Sequence, residues 1–182
     1  ISLVGIIDDL LSMRQHLKAF LPFVFALPIG LFVSEEMFIP FMGNINFGIL
    51  IYFIVPFGVT CAANSMNMLE GFNGLGTGLG IIIATAMIIL SLINNNSSGL
   101  LDKSITLCIL FPLLGSLVAF LYYNNYPASI FPGDTMTLFL GATIGCAAIS
   151  GLKLEGVILM SPMIVEFFLK LKGNFQGECF AE

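Results

Sequence analysis

Residues 78–93 read Gly78-Leu-Gly-Ile-Ile-Ile-Ala-Thr-Ala-Met-Ile-Ile-Leu-Ser-Leu-Ile93, with neither a charge nor a proline. A helical crossing of a bilayer needs roughly 17–25 mostly apolar residues, so this stretch is close to one crossing by itself. Five others resemble it, at 19–33, 47–63, 105–123, 135–152 and 156–169, with the charged residues clustered between them. The composition of the whole chain agrees. Its 182 residues are 58% hydrophobic and 9% charged, with a mean hydropathy of +1.03, whereas soluble domains carry about 25% charged residues. This excludes a soluble globular domain. Six Lys plus Arg against eleven Asp plus Glu, a net charge of −5, leave no basic surface able to neutralise a polynucleotide, so no nucleic-acid partner is expected.

The expected architecture is an all-α polytopic transmembrane bundle of about six full spans. The apolar run Ile1-Ser-Leu-Val-Gly-Ile-Ile7 before Asp8-Asp9 is too short to cross and reads as the end of one more helix. Residues 1–182 are accordingly taken as a single transmembrane domain truncated at both ends. Pro22, Pro28, Pro56 and Pro112 fall inside spans and predict kinks rather than ends, because neighbours in a membrane bundle can satisfy the freed carbonyls. Gly141 and Gly145 have the small-xxx-small spacing of a close helix contact. Cys61, Cys108 and Cys146 lie within apolar stretches and lack CxxC spacing; they suggest buried hydrophobes rather than a zinc or disulfide framework.

Successive crossings alternate the side on which each connection emerges. Residues 8–18, 64–77, 124–134 and the 170–182 tail share one side, and 34–46, 94–104 and 153–155 share the other. The first side holds Arg14, Lys18, Lys170 and Lys172 against Lys103 and Lys153, which makes it the cytoplasmic side by the positive-inside rule. It also holds nearly every residue able to do chemistry. Asp8 and Asp9 are adjacent carboxylates that repel unless a cation is near, and Arg14 and Lys18 follow closely enough to supply one or to hold an anionic substrate. Asn64 and Asn67 are one helical turn apart, and the glycines after them allow close backbone approach to an anion or nucleotide. Asp134 precedes an uncharged span, where it can cap a helix, bind a metal, or do both. Carboxylates and amides together form a hard-oxygen set suited to Mg²⁺, and Phe131 offers a flat face to a base.

Three motifs in order, Gly5-Ile-Ile-Asp8-Asp9, Asn64-Ser-Met-Asn67 and Phe131-Pro-Gly-Asp134-Thr, resemble the polyprenyl-phosphate N-acetylhexosamine-1-phosphate transferases, glycosyltransferase family 4. The wording Asn67-Met-Leu-Glu-Gly71-Phe-Asn73-Gly74-Leu is more similar to the dolichyl-phosphate GlcNAc-1-phosphate transferases and their archaeal relatives than to the bacterial MurNAc-pentapeptide enzymes. The resemblance implies a ten-helix membrane enzyme with a cytoplasmic active site, in the cell membrane of an archaeon or bacterium or in the endoplasmic reticulum of a eukaryote. It implies transfer of a sugar-1-phosphate, GlcNAc-1-phosphate above all, from a UDP-sugar to a polyprenyl or dolichyl phosphate with release of UMP. Asp134 and Asn67 would hold Mg²⁺, with Mn²⁺ as an alternative, while Lys18 and Asp8 position phosphates and Asp9 supports the site. Phe131 would stack on uracil, Gly71 and Asn73 would contact the uridine, and Arg14 and Asn64 would complete the substrate site. A homodimer is a further expectation. Ser12 stands where the longer DDxxD form of the first motif has its third acid. The competing expectations are the same reaction with another UDP-sugar, and a transporter-like protein, which would place acids in mid-span; Glu166 is the one acid well inside a predicted span.

Overall fold

A computed structural model describes residues 1–33, 36–39, 43–69, 71–93, 100–151 and 153–172. Helices α1 (Ser2–Leu11) and α2 (Gln15–Gly30) are followed by a hairpin of β1 (Glu36–Ile39) and β2 (Gly43–Asn46). Then come α3 (Ile51–Leu69), α4 (Leu75–Ile93), α5 (Leu100–Asn124), α6 (Gly133–Gly151), α7 (Lys153–Leu159) and α8 (Ser161–Lys172). Among the described residues four helical segments are long and apolar enough to cross a membrane: Gly48–Leu69, Leu75–Ile93, Lys103–Asn124 and Gly133–Ser150. The chain is an integral membrane protein built from helices. Glu70 and residues 94–99 and 173–182 lie outside the described set.

Two expected crossings come out shorter. The 19–33 stretch folds as α2, whose 16 residues rise about 24 Å, less than the hydrocarbon thickness of about 30 Å. The 156–169 stretch is divided at Met160 into α7 and α8. Pro162 in the first turn of α8 explains the division, since proline lacks the N–H that a continuing helix would need and is well suited to a helix start. The four prolines expected to leave their helices unbroken do so, with Pro22 and Pro28 inside α2, Pro56 inside α3 and Pro112 inside α5.

Two apolar clusters hold the bundle together. In one, Met66 of α3, Met87 of α4, Leu117 of α5 and Ile144 of α6 are buried together. In the other, Val4 of α1 and Ala26 of α2 pack with Val59 and Ala63 of α3 and Leu138 of α6. Helix α6 is therefore common to both. Its approach to α3 depends on small residues, because a Cβ on Gly141 would sit 2.3 Å from the Ala62 carbonyl oxygen and one on Gly145 would sit 3.1 Å from Ala62 Cβ. Gly5 has the same role between α1 and α6, where a Cβ would fall 2.4 Å from Thr135 Cα. The cysteine expectation is corrected in part: Cys61 and Cys108 are exposed on the outer faces of their helices and Cys146 is half-buried. In a membrane an apolar side chain gains nothing by facing inward rather than toward lipid, so apolarity did not predict burial.

Candidate active site

The ends of α1, α3 and α5 and the starts of α2, α4 and α6 meet at one end of the bundle, which brings together three connections that alternation had placed on one side. Helix α1 stops at Leu11 because Ser12 turns left-handed, with φ +50°, and its N–H bonds to the Asp8 carbonyl at 2.9 Å. The Met13 N–H then donates to Asp8 Oδ1 at 2.7 Å. Asp8 thus fastens the turn that delivers Lys18. The position occupied by an acid in the longer motif is here the residue that closes the helix.

Lys18 lies between two acids. Its ammonium is 2.8 Å from Asp8 Oδ2 and also pairs with Asp134 Oδ2. A hydrogen bond shared with Asp134, the Lys18 ammonium and the Met13 N–H hold the Asp8 carboxyl at about 2 against the opposing effect of burial. Burial pulls the Lys18 ammonium downward, but its bonds to Asp134 and Asp8 outweigh this and raise it. Asn67, near the end of α3, donates through Nδ2 to Asp134 Oδ1 and, at 2.8 Å, to Thr137 Oγ1. The Thr137 hydroxyl donates in turn to the Gly133 carbonyl at 3.1 Å.

Asp9 acts differently from its neighbour. Its Oδ1 accepts the Asp134 N–H at 2.9 Å, and its Oδ2 accepts the Thr135 N–H at 3.1 Å and the Thr135 hydroxyl at 2.6 Å. Asp9 is an N-cap supplied to α6 by another helix, satisfying donors that have no partner within α6. Burial raises its carboxyl, and the Thr135 and Asp134 donors outweigh that and lower it. Gly133 makes room for it, since φ is +59° and a Cβ there would meet Asp9 Oδ2 at 3.0 Å.

The remaining expected site residues lie around this cluster. Asn64 donates to the Ala19 carbonyl at 3.1 Å, so its amide ties α3 to α2. Arg14 is the exposed N-cap residue of α2 and makes no ion pair among the described residues. Gly71 is buried, and Asn73 Oδ1 is a buried oxygen with no hydrogen-bond partner among the described residues. Phe131 is 46% exposed just before the buried Pro132. The sequence reading missed Thr135 and Thr137, although Thr137 follows Asp134 by the three residues that place two side chains on one helical face. It also missed Gly133 and the buried Asn124, whose Oδ1 accepts the Gly74 N–H at 3.1 Å.

The family model described as glycosyl transferase family 4 matches residues 1–152. The chain belongs to glycosyl transferase family 4. Over the whole chain it is 43% identical to 56% of a Saccharolobus solfataricus protein provisionally named a UDP-N-acetylglucosamine–dolichyl-phosphate N-acetylglucosaminephosphotransferase. A Schizosaccharomyces pombe protein bearing that name without qualification is 31% identical, over 96% of this chain and 43% of its own length. A phospho-N-acetylmuramoyl-pentapeptide-transferase of Prochlorococcus marinus is also 31% identical, over 88% of this chain and 46% of its own. The chain spans about half the length of the curated relatives it matches. The family resemblance carried by the three motifs is thereby borne out.

Proposed function

We propose that the protein transfers GlcNAc-1-phosphate from UDP-GlcNAc to a polyprenyl or dolichyl phosphate, releasing UMP, at the cytoplasmic face of its membrane. The observation that carries this reading is the convergence of Asp8, Lys18, Asn67 and Asp134 at one end of a family 4 bundle. In such a transfer an oxygen of the lipid phosphate bonds to the β-phosphorus of the UDP-sugar, and the bond from that phosphorus to the bridging oxygen breaks. The electron pair leaves with UMP.

The donor set fits a hard cation. Two carboxylates pair with one ammonium and the Asn67 amide bonds to the second of them, Asp134, and Mg²⁺ takes one or two carboxylates together with waters and phosphate oxygens. Asp134 and Asn67 would hold the ion, which when bound neutralises charge on the diphosphate. Phosphoryl transfer depends largely on positioning and charge neutralisation, and the chain's own residues supply both. Lys18 holds the two acids at one point and offers its ammonium to phosphate oxygens. Asp8, held at about 2, stays ionised at neutral pH and is a weak proton acceptor there. It therefore serves as an electrostatic anchor, and the lipid phosphate, already anionic, needs no base. Asp9 fixes the helix that presents Asp134.

The test is UMP release by the complete protein in detergent, with polyprenyl phosphate, Mg²⁺ and a panel of UDP-sugars. Turnover with UDP-GlcNAc that is lost on chelation and restored by Mg²⁺ is the expected result. Turnover insensitive to chelation removes the metal, and preference for another UDP-sugar removes GlcNAc.

A further inference from the structure

Every carboxylate oxygen of Asp8 and Asp134 has a donor. Asp8 Oδ1 takes the Met13 N–H at 2.7 Å and Asp134 Oδ1 takes the Asn67 amide, while the two Oδ2 atoms share the Lys18 ammonium. These donors differ in how easily they can leave. The Met13 N–H belongs to the backbone turn after α1, and Asn67 Nδ2 is also held by Thr137 Oγ1 at 2.8 Å. The ammonium sits instead on a flexible four-carbon stem, and among the described residues it bonds to these two acids alone. Lys18 is the donor that can be exchanged.

Charge decides what can replace it. Two carboxylates and one ammonium leave the group with a single net negative charge. A divalent cation would make the group positive if the ammonium stayed and neutral if it left, and two cations on one carboxylate oxygen repel each other. The Asp134 side chain is 26% exposed against 9% for Asp8, so a hydrated ion arriving from water meets Asp134 first. A diphosphate, for its part, offers the ammonium an anionic partner of comparable strength. The same lysine therefore has two alternative partners, and the same carboxylate has two alternative cations.

We propose that Lys18 is a displaceable counterion that competes with the divalent cation for Asp134, so that the metal alone binds weakly and a diphosphate, by drawing the ammonium away, opens the acid to the metal. The inference rests on the UDP-sugar reading and deepens it, since it concerns the order in which the same site fills. Each ligand then favours the other, and by linkage the effect is reciprocal. The two acids are never left facing each other without a cation, which their mutual repulsion would oppose.

The experiment measures Mn²⁺ binding to the complete protein in detergent without nucleotide, reading the free ion by electron paramagnetic resonance, for wild type, Lys18→Met and Lys18→Arg. Lys18→Met should lower the Kd at least about 10-fold, the scale of removing a like charge beside a bound ion. Lys18→Arg keeps the charge and should stay within about threefold of wild type. A lysine that only positions phosphates leaves the Kd of Lys18→Met unchanged, and one that only holds the acids together raises it; either result overturns the proposal, as does equal tightening in both variants. A second measurement uses the wild type alone. An ammonium paired with two carboxylates is shielded from an amine-acylating reagent, so acylation of Lys18, followed by mass spectrometry, should accelerate several-fold at saturating Mg²⁺. An unchanged or slower rate overturns the proposal, and this result decides by itself if Lys18→Met does not fold. Wild-type protein that binds no UDP, with or without Mg²⁺, defeats the UDP-sugar reading instead, which separates the two failures.

Discussion

Asp9 of α1 closes the first turn of α6 at Thr135, accepting that residue's N–H and hydroxyl with one carboxylate oxygen while the other takes the N–H of Asp134. Adjacent acids therefore have separate duties. Asp8 faces Lys18, and Asp9 holds the helix on which the second acid of the cluster is mounted.

Removing that cap should be visible in stability before it is visible in chemistry. Asp9→Ala leaves two N–H groups and a hydroxyl without their acceptor and should cost about 1–2 kcal/mol. At about 2–4 °C per kcal/mol for a chain of this size, the melting temperature should fall by about 2–8 °C. Asp9→Asn retains an acceptor oxygen and should recover part of the loss. Equal melting temperatures for wild type and Asp9→Ala would show that the cap contributes nothing.

Asp134→Asn tests the chemistry directly. The amide preserves shape but removes the charge that pairs with Lys18 and that a metal would need. UMP release by the complete protein should fall at least about 100-fold, the usual scale for losing a preorganised electrostatic group. Retained turnover would take Asp134 out of the reaction.

Acid should weaken the cluster in a defined window. Asp8 is lowered from 3.8 to about 2, and a depressed carboxyl contributes stability that is complete above its unfolded value and lost as pH falls through its folded one. Unfolding midpoints of wild type and Asp8→Asn should therefore differ most above about pH 4 and converge toward pH 2. Lys18 is raised, so its contribution is complete below 10.5 and is lost only as pH climbs past its higher folded value. A gap between the two proteins that stays constant from pH 6 to pH 2, taken as about the range of the window, would contradict the assignment.

A pair of glycine substitutions separates close packing from helix propensity. Gly5→Ala places a methyl 2.4 Å from Thr135 Cα, and overpacking of this kind typically costs about 1–3 kcal/mol. Gly58→Ala, inside α3 with nothing within 4 Å, should be neutral or stabilising by up to about 1 kcal/mol. Similar melting temperatures for the two variants would remove Gly5 from the α1–α6 contact.

The membrane class and the acidic cluster were legible in the sequence for one reason, the scarcity of charge. In a chain this apolar, Asp8, Lys18 and Asp134 stand out, and alternation of sides brings them together without any structure. Residues that work through other elements were not legible. The spacing of Thr137 from Asp134 puts both on one helical face, but its pairing with Asn67, like the link that Asn124 makes to Gly74, depends on a neighbour about fifty to seventy residues away. Asn64 and Asn67 looked equivalent by spacing, yet one meets the Ala19 carbonyl and the other Asp134. The division at Met160 has a local mark in Pro162, which the hydropathy of the 156–169 stretch does not register.

The contact at Gly5 also acts as a gauge. With Thr135 backbone atoms within 2.4–2.6 Å of where a methyl would stand, α1 rests main chain to main chain against the start of α6, and no side chain can settle between them as a compressible spacer. The distance between the main chains that carry Asp8 and Asp134 is thus set by atomic radii at this contact. Any change in how α1 and α6 cross must therefore pivot about this contact, and it carries Asp8 and Asp134 with it.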